Sequence, residues 1–413
     1  MNLHVAAART DTDRLWRSLT EMAAIGATAG GGVGRLALSD EDRLARDLFR
    51  SWCRDAGLTV RVDRMGNVFA RRAGSEPGAA PVITGSHLDS QPLGGRFDGA
   101  YGVLAGLEVM RTLNDAGIAT RAPLDVVVWT DEEGSRFTPG MAASGVFAGV
   151  YALDEGLAVR DTQGITIGEA LAAIGYAGDE PVGGYPVDAY FEAHIEQGPL
   201  LEMERKLIGV VTGAQGQRCF QVRVTGEEGH AGTLPMTQRR DALLGAARMV
   251  DVLNDIAFGY QPHPVITVGR LLVRPNSPNT IPGECQFTID SRHPDDDILD
   301  RVEREMRAEC SRMAAGLDLQ IEFSGSSRRR SIEFDRDCVA LVRDAARELN
   351  YPARDIASAA AHDACHLARI VPTAMIFVPC RDGISHNERE SAEPEHLAAG
   401  ADVLLHAMLQ RAR

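Results

Sequence analysis

Apolar positions along the chain recur with two spacings, and the switches between them mark out its elements. Near the start, a helical spacing predicts a helix over about Asp13–Ile25. A second helix follows Ser39-x-x-Asp42, where hydroxyl and carboxylate can satisfy the first free amides, and runs to about Ala56. Leu58–Asp63 and Asn67–Arg72 then flank Met65-Gly66-Asn67 and predict a hairpin. From Ala80, short apolar runs (Val82–Thr84, Val126–Trp129) alternate with a helical stretch at Gly99–Asn114. That alternation predicts an α/β layer with a mostly parallel sheet. Tyr190–Ile195 and Thr373–Val378 add strands of the same style, with a helix at Asp337–Leu349.

A different rhythm occupies the middle. Strand Cys219–Val224, helix Arg240–Ile256, strands Val265–Leu272 and Cys285–Ser291, helix Asp295–Ala315 and strand Leu317–Phe323 give the order β-α-β-β-α-β. This is the pattern of a ferredoxin-like sandwich. The expected organisation is therefore an α/β/α catalytic domain from residues 1–213 and 328–413, with a small α+β domain, 214–327, inserted into it.

Composition narrows the class of function. The 413 residues carry a formal net charge of -15, which argues against nucleic acid or an anionic membrane as main partner. No apolar run approaches the roughly 20 residues needed to span a bilayer. Met1–Thr10 has no basic stretch followed by an apolar one, so no secretory leader is expected and the cytoplasm is the default location. Seven scattered cysteines, none in a C-x-x-C pair, point away from a disulfide framework and from a thiolate zinc site.

Candidate chemistry collects where ligands bind in open α/β sheets, outside the carboxyl ends of the strands. Gly85-Ser86-His87-Leu88-Asp89-Ser90 follows one strand and Thr130-Asp131-Glu132-Glu133-Gly134 another. His194 lies within a third, ahead of Glu196-Gln197-Gly198-Pro199, and a loop reaching Ser385-His386 follows a fourth. Asp98 adds a carboxylate just before the Gly99 helix. Singly, each has a plainer explanation: His87 a core histidine, Asp98 a helix N-cap, Glu132-Glu133 a solvated loop. Jointly, nitrogen and oxygen donors without thiolate suit zinc or a similar divalent ion, and a carboxylate can bridge two ions. Asp89 can take the second N–H of His87. One of the paired glutamates can bind metal, leaving the other as general base for water.

These segments resemble the hydantoinase/carbamoylase family of amidases, part of a wider superfamily of dinuclear-metal aminoacylases and exopeptidases. The resemblance also runs through Gly95-Arg96-Phe97-Asp98-Gly99, Gly229-His230-Ala231-Gly232-Thr233, Asn276–Pro282, Asp290-Ser291-Arg292 and Gly383-Ile384-Ser385-His386. It implies two divalent ions per chain, zinc before manganese, cobalt or nickel. One would be held by His87, His194 and Asp98, the other by Asp98, Glu133 and His386, with Glu132 as general base. His194 resembles the amidases, because the peptidases usually place a carboxylate there. The inserted domain would be a lid and homodimerisation domain, with His230 stabilising the oxyanion across the dimer. Asn279 and Arg292 would grip a substrate carboxylate, with Gln197 lining the same pocket; a surface ion pair is the plainer role for Arg292. His362-Asp363 also match a family motif, either structurally or in support of catalysis, and Ala359-Ala360-Ala361 stands where glycine is more usual.

The implied activity is cleavage of the carbamoyl C–N bond of an N-carbamoyl-L-amino acid, a small ureido substrate, to amino acid, CO₂ and ammonia. Allantoate amidohydrolase and β-ureidopropionase are the rival activities, a superfamily peptidase a weaker one. From another class, a metal-free dimeric binding protein on the same fold would show no stable divalent ion.

Overall fold

The computed structural model describes residues 8–413, so the expectation for Met1–Thr10 lies outside them as far as residue 7. Two compact units are present. One runs to Gly213 and resumes at Glu333–Arg413; the other is Ala214–Ile332.

Among the described residues, nine strands build the sheet of the first unit. They are β1 (Thr59–Val62), β2 (Val68–Arg72), β3 (Val82–His87), β4 (Leu124–Trp129), β5 (Ala189–Ile195), β6 (Ile208–Ala214), β7 (Ile332–Glu333), β8 (Ala353–Ser358) and β9 (Thr373–Val378). Their order is β1-β2-β4-β3-β5-β9-β6-β7, with β8 paired to β6. The central four, β4-β3-β5-β9, are parallel, and antiparallel neighbours close both sides. Every residue of these four strands is buried, which explains why LDVVVW and TAMIFV read as nearly continuous apolar runs: both faces are covered. Helices Ala100–Asp115 and Pro394–Arg411 supply part of that cover.

The capping signature works as expected. Ser39 Oγ accepts from the Asp42 amide at 3.2 Å, and the Asp42 carboxylate accepts from the Leu38 amide at 2.8 Å. β6, β8 and the Pro394–Arg411 helix were not anticipated from the apolar pattern.

In the second unit, strands Leu271–Arg274, Glu284–His293, Gly216–Thr225 and Gln320–Arg329 lie side by side in that order, all antiparallel. Burial along Glu284–His293 alternates strictly, the mark of a sheet with one packed face. Helices Ala242–Phe258 and Asp296–Gly316 cover that face, burying Phe220, Val222, Met249, Leu253, Phe287 and Val302. The single strand expected over Val265–Leu272 is divided. Val265–Thr267 pairs with Asp290–Arg292 and Leu271–Arg274 with Glu284–Phe287, along one partially exposed edge. With little burial to hold it, the Val268-Gly269-Arg270 stretch leaves the ladder. The fold class is as expected: a mostly parallel α/β unit and a separate antiparallel α+β unit. No helix of the described residues is long and apolar enough to cross a membrane.

Candidate metal centre

From β3 the chain crosses to β4 on one side, while β5 lies on the other. Strand order therefore reverses at β3, and a crevice opens at the carboxyl ends there. His87 ends β3, Glu132 and Glu133 follow β4, His194 sits near the end of β5, and His386 lies in the loop beyond β9. Asp98 comes from the loop between β3 and the Ala100–Asp115 helix.

The N-cap explanation for Asp98 does not hold. Gly99 is the cap residue, at φ 65° and ψ -51°, and no side chain caps this helix. A Cβ at Gly99 would overlap the His87 ring. Glycine thus allows both the turn and the close approach of backbone to imidazole. The freed Asp98 carboxylate is buried, with Oδ1 3.2 Å from His194 Nε2 and 3.8 Å from His87 Nε2. Its Oδ2 lies 3.3 Å from His386 Nε2, and Glu133 Oε2 lies 3.4 Å from the same nitrogen.

Donor atoms of His87, Asp98 and His194 thus converge, as do those of Asp98, Glu133 and His386. Ligands at about 2.0–2.2 Å from a tetrahedral ion stand about 3.4 Å apart, and the contacts of Asp98 with the three histidines, from 3.2 to 3.8 Å, are of that order. The imidazoles are oriented for it. His87 Nδ1 meets the Asp89 carbonyl at 2.9 Å and His194 Nδ1 the Ile195 carbonyl at 2.9 Å, leaving both Nε2 atoms facing Asp98.

Asp89 acts differently from expectation. Its carbonyl, not its carboxylate, is the close partner of His87. The carboxylate accepts instead from the amides of Glu132 (3.3 Å) and Glu133 (3.2 Å), fixing the turn that carries both. Glu133 is held by Gln91, whose side-chain amide donates at 2.7 Å. Glu132 places Oε2 3.4 Å from His87 Nε2.

Electrostatics follow from crowding like charges out of water. Burial, then the charges of Asp363, Glu133, Asp89 and Asp98, hold the Glu132 carboxyl well above the usual carboxylate range. Burial and Asp98 also raise Glu133. Burial opposes charge on His194, but its hydrogen bond to Asp98 and that charge outweigh it, to about 9. Burial works against charge on Asp98, but His194, His386 and His87 together hold it low. Divalent cations would offset the like charges of such a cluster.

Gln197 lies at the carboxylate cluster. Its amide nitrogen lies 2.9 Å from Asp98 Oδ2 and 3.3 Å from the Ser385 hydroxyl. His362 packs its ring 4.5 Å from that of His194 and meets Ser358 Oγ at 3.0 Å, and Asp363 is fully buried. None of Ala359, Ala360 and Ala361 has a positive φ, so the local backbone needs no glycine there.

In the second unit, His230 and Asn279 are brought together by the short ribbon of Gly229–His230 and Thr280–Ile281, and both are exposed. The Asn279 carbonyl accepts from the Ala231 amide at 3.0 Å. Arg292 is not beside them in the ladder. Its guanidinium meets Asp290 with two 3.0 Å hydrogen bonds, the ion pair named above as its plainer role.

Glu390 was missed. Burial and the Asp98 charge push its carboxyl up to about 7, and it accepts from the Phe97 amide at 2.8 Å and the Asp98 amide at 3.2 Å. It lies near the far end of the long connection between β9 and the Pro394–Arg411 helix, so position in the sequence gave no signal beyond its proximity to His386. Glu192 was missed as well. On β5, two residues before His194, it accepts from Ser86 Oγ at 2.7 Å and from the Ala364 amide at 3.1 Å.

A model of peptidase family M20/M25/M40 matches residues 83–410. An N-carbamoyl-L-amino-acid amidohydrolase of Rhizobium meliloti is 47% identical over 404 residues, 98% of this chain and 97% of that one. An allantoate amidohydrolase of Bacillus subtilis is 33% identical over 385 residues, 93% of each chain. A crystal structure of an amidase of the hydantoinase/carbamoylase family from Burkholderia multivorans is 58% identical, with a TM-score of 0.96 over 98% of this chain and 99% of that one.

Proposed function

Because the chain belongs to peptidase family M20/M25/M40, and within it to the hydantoinase/carbamoylase amidases, we propose that it hydrolyses the carbamoyl C–N bond of N-carbamoyl-L-amino acids. The observation that carries this is Asp98, which turns one oxygen to His87 and His194 and the other to His386. A carboxylate whose two oxygens face two sets of donors suits a two-ion hydrolase.

His87, Asp98 and His194 would hold one divalent ion, and Asp98, Glu133 and His386 the other, zinc being favoured by the donor set. Such ions supply Lewis acidity that acidifies water and polarises the ureido carbonyl. Glu132, beside His87, takes the proton of the attacking water and returns it to the departing nitrogen. Breaking that bond releases the amino acid and carbamate, which divides into CO₂ and ammonia. Asn279 and Arg292 would bind the substrate carboxylate, a role suited to a planar guanidinium, and His230 would stabilise the oxyanion. For Arg292 that role competes with Asp290. Homodimerisation through the second unit and residence in the cytoplasm belong to the same proposal.

Identity to the Rhizobium meliloti carbamoylase, at 47%, exceeds that to the Bacillus subtilis allantoate enzyme, at 33%, and favours the carbamoyl amino acid. Ammonia release measured in parallel on N-carbamoyl-L-amino acids, allantoate and β-ureidopropionate tests it. The expected result is the largest kcat/KM for an N-carbamoyl-L-amino acid. Faster turnover of allantoate or β-ureidopropionate would overturn the substrate assignment.

A further inference from the structure

Asp98 and His386 reach the site from separate loops, and the His386 loop has little burial to fix it. His386 keeps half of its side chain exposed and adopts φ 52°. One buried side chain ties the two loops together. Glu390, 1% exposed, accepts through Oε1 from the backbone amides of Phe97 and Asp98 and through Oε2 faces the Ser385 hydroxyl at 3.1 Å. That hydroxyl also lies 2.9 Å from Asp98 Oδ2, so it stands between the two carboxylates.

The seat is built from both sides. A Cβ on Gly95 would overlap the Glu390 carboxylate, so the Asp98 loop approaches closely only because Gly95 has none. Glu388 supplies a second tie, accepting from the Thr28 hydroxyl and from the Gly30 amide at 3.1 Å. Asp98 has further support from its helix and from buried Phe97, whereas the stretch around His386 is mostly exposed and is tied down by Glu390 and Glu388, with the Asp382 amide donating to Glu202 at 2.8 Å on its far side.

We propose that Glu390 is a positioning residue that holds the Asp98 and His386 loops together and so sets the affinity of the ion site formed by Asp98, Glu133 and His386. The inference rests on the two-ion assignment made above. A loop ordered before the ion arrives loses less conformational freedom on binding it, and groups that orient ligands change metal affinity about 10–100-fold when removed.

Metal-stripped wild type, Glu390→Ala, Gly95→Ala and Glu390→Gln should be titrated with Zn²⁺ by calorimetry, with bound ions per chain counted after gel filtration. Thermal unfolding of each metal-free protein is recorded alongside. Glu390→Ala is expected to weaken the second ion about 10–100-fold while the first stays within about threefold of wild type. Gly95→Ala, which displaces the carboxylate without removing its charge, should do the same. Glu390→Gln keeps an acceptor oxygen for both amides and should recover most of the loss. Wild-type affinity for both ions in Glu390→Ala would overturn the proposal, as would equal weakening of both ions with a lowered unfolding temperature, or a Gln variant as weak as the Ala one. Fewer than two ions on wild type would instead overturn the two-ion assignment itself, and the proposal with it.

Discussion

Glu132 and Glu133 are neighbours with the same side chain, and only their surroundings separate them. Glu133 is gripped by Gln91 and turned towards His386, where it can complete a ligand set with Asp98. Glu132 faces His87 and is pushed well above the usual carboxylate range by burial and by the charges of Asp363 and Glu133. A carboxyl whose proton affinity is raised, then lowered again as cations bind nearby, suits a group that must take and return a proton. Glu132→Gln should therefore lower turnover about 10²–10⁴-fold while the ion content of the protein is unchanged. Ammonia release and metal analysis on the same preparation check this; retained turnover would remove Glu132 from the role. Residue types at strand ends made His87, His194 and the glutamate pair visible in the sequence. Orientation was not visible. The carbonyl and carboxylate of Asp89 serve different partners, and Glu390 acts on backbone amides that no residue type announces.

At the scale of elements, the join between β3 and its following helix brings the two halves of the first ligand set together. Gly99 makes that join possible by its positive φ and by the space its missing side chain leaves for the His87 ring. Gly99→Ala should cost about 1–3 kcal/mol of stability in strain and overlap. It should also weaken binding of the first ion, since the imidazole has to move. Denaturant unfolding and a zinc titration of the variant measure the two effects; wild-type values in both would contradict this account of the turn. The sequence showed the helix and the carboxylate before it, with an N-cap as the plainer role for Asp98 taken alone. That Gly99 is the cap and frees the carboxylate was not visible. The division of Val265–Leu272 into two short strands was likewise hidden, since its apolar spacing continues where the backbone leaves the ladder.

At the scale of the molecule, the fold class was legible because burial dictates pattern. Strands covered on both faces are apolar throughout, whereas a sheet packed on one face alternates, and the chain shows the first style on either side of the second. Strand order was not legible, and it is strand order that sets β3, β4 and β5 side by side at the crevice. The central claim is that this crevice works as a two-ion site bridged by Asp98. Its most direct test is recovery of ammonia release from an N-carbamoyl-L-amino acid as Zn²⁺, Mn²⁺ or Co²⁺ is added back to metal-stripped protein with bound ions counted. Full activity should be reached only at two ions per chain in wild type, and Asp98→Ala should bind neither ion tightly and stay inactive. Full turnover by metal-free or one-ion protein, or an active Asp98→Ala variant, would contradict the account.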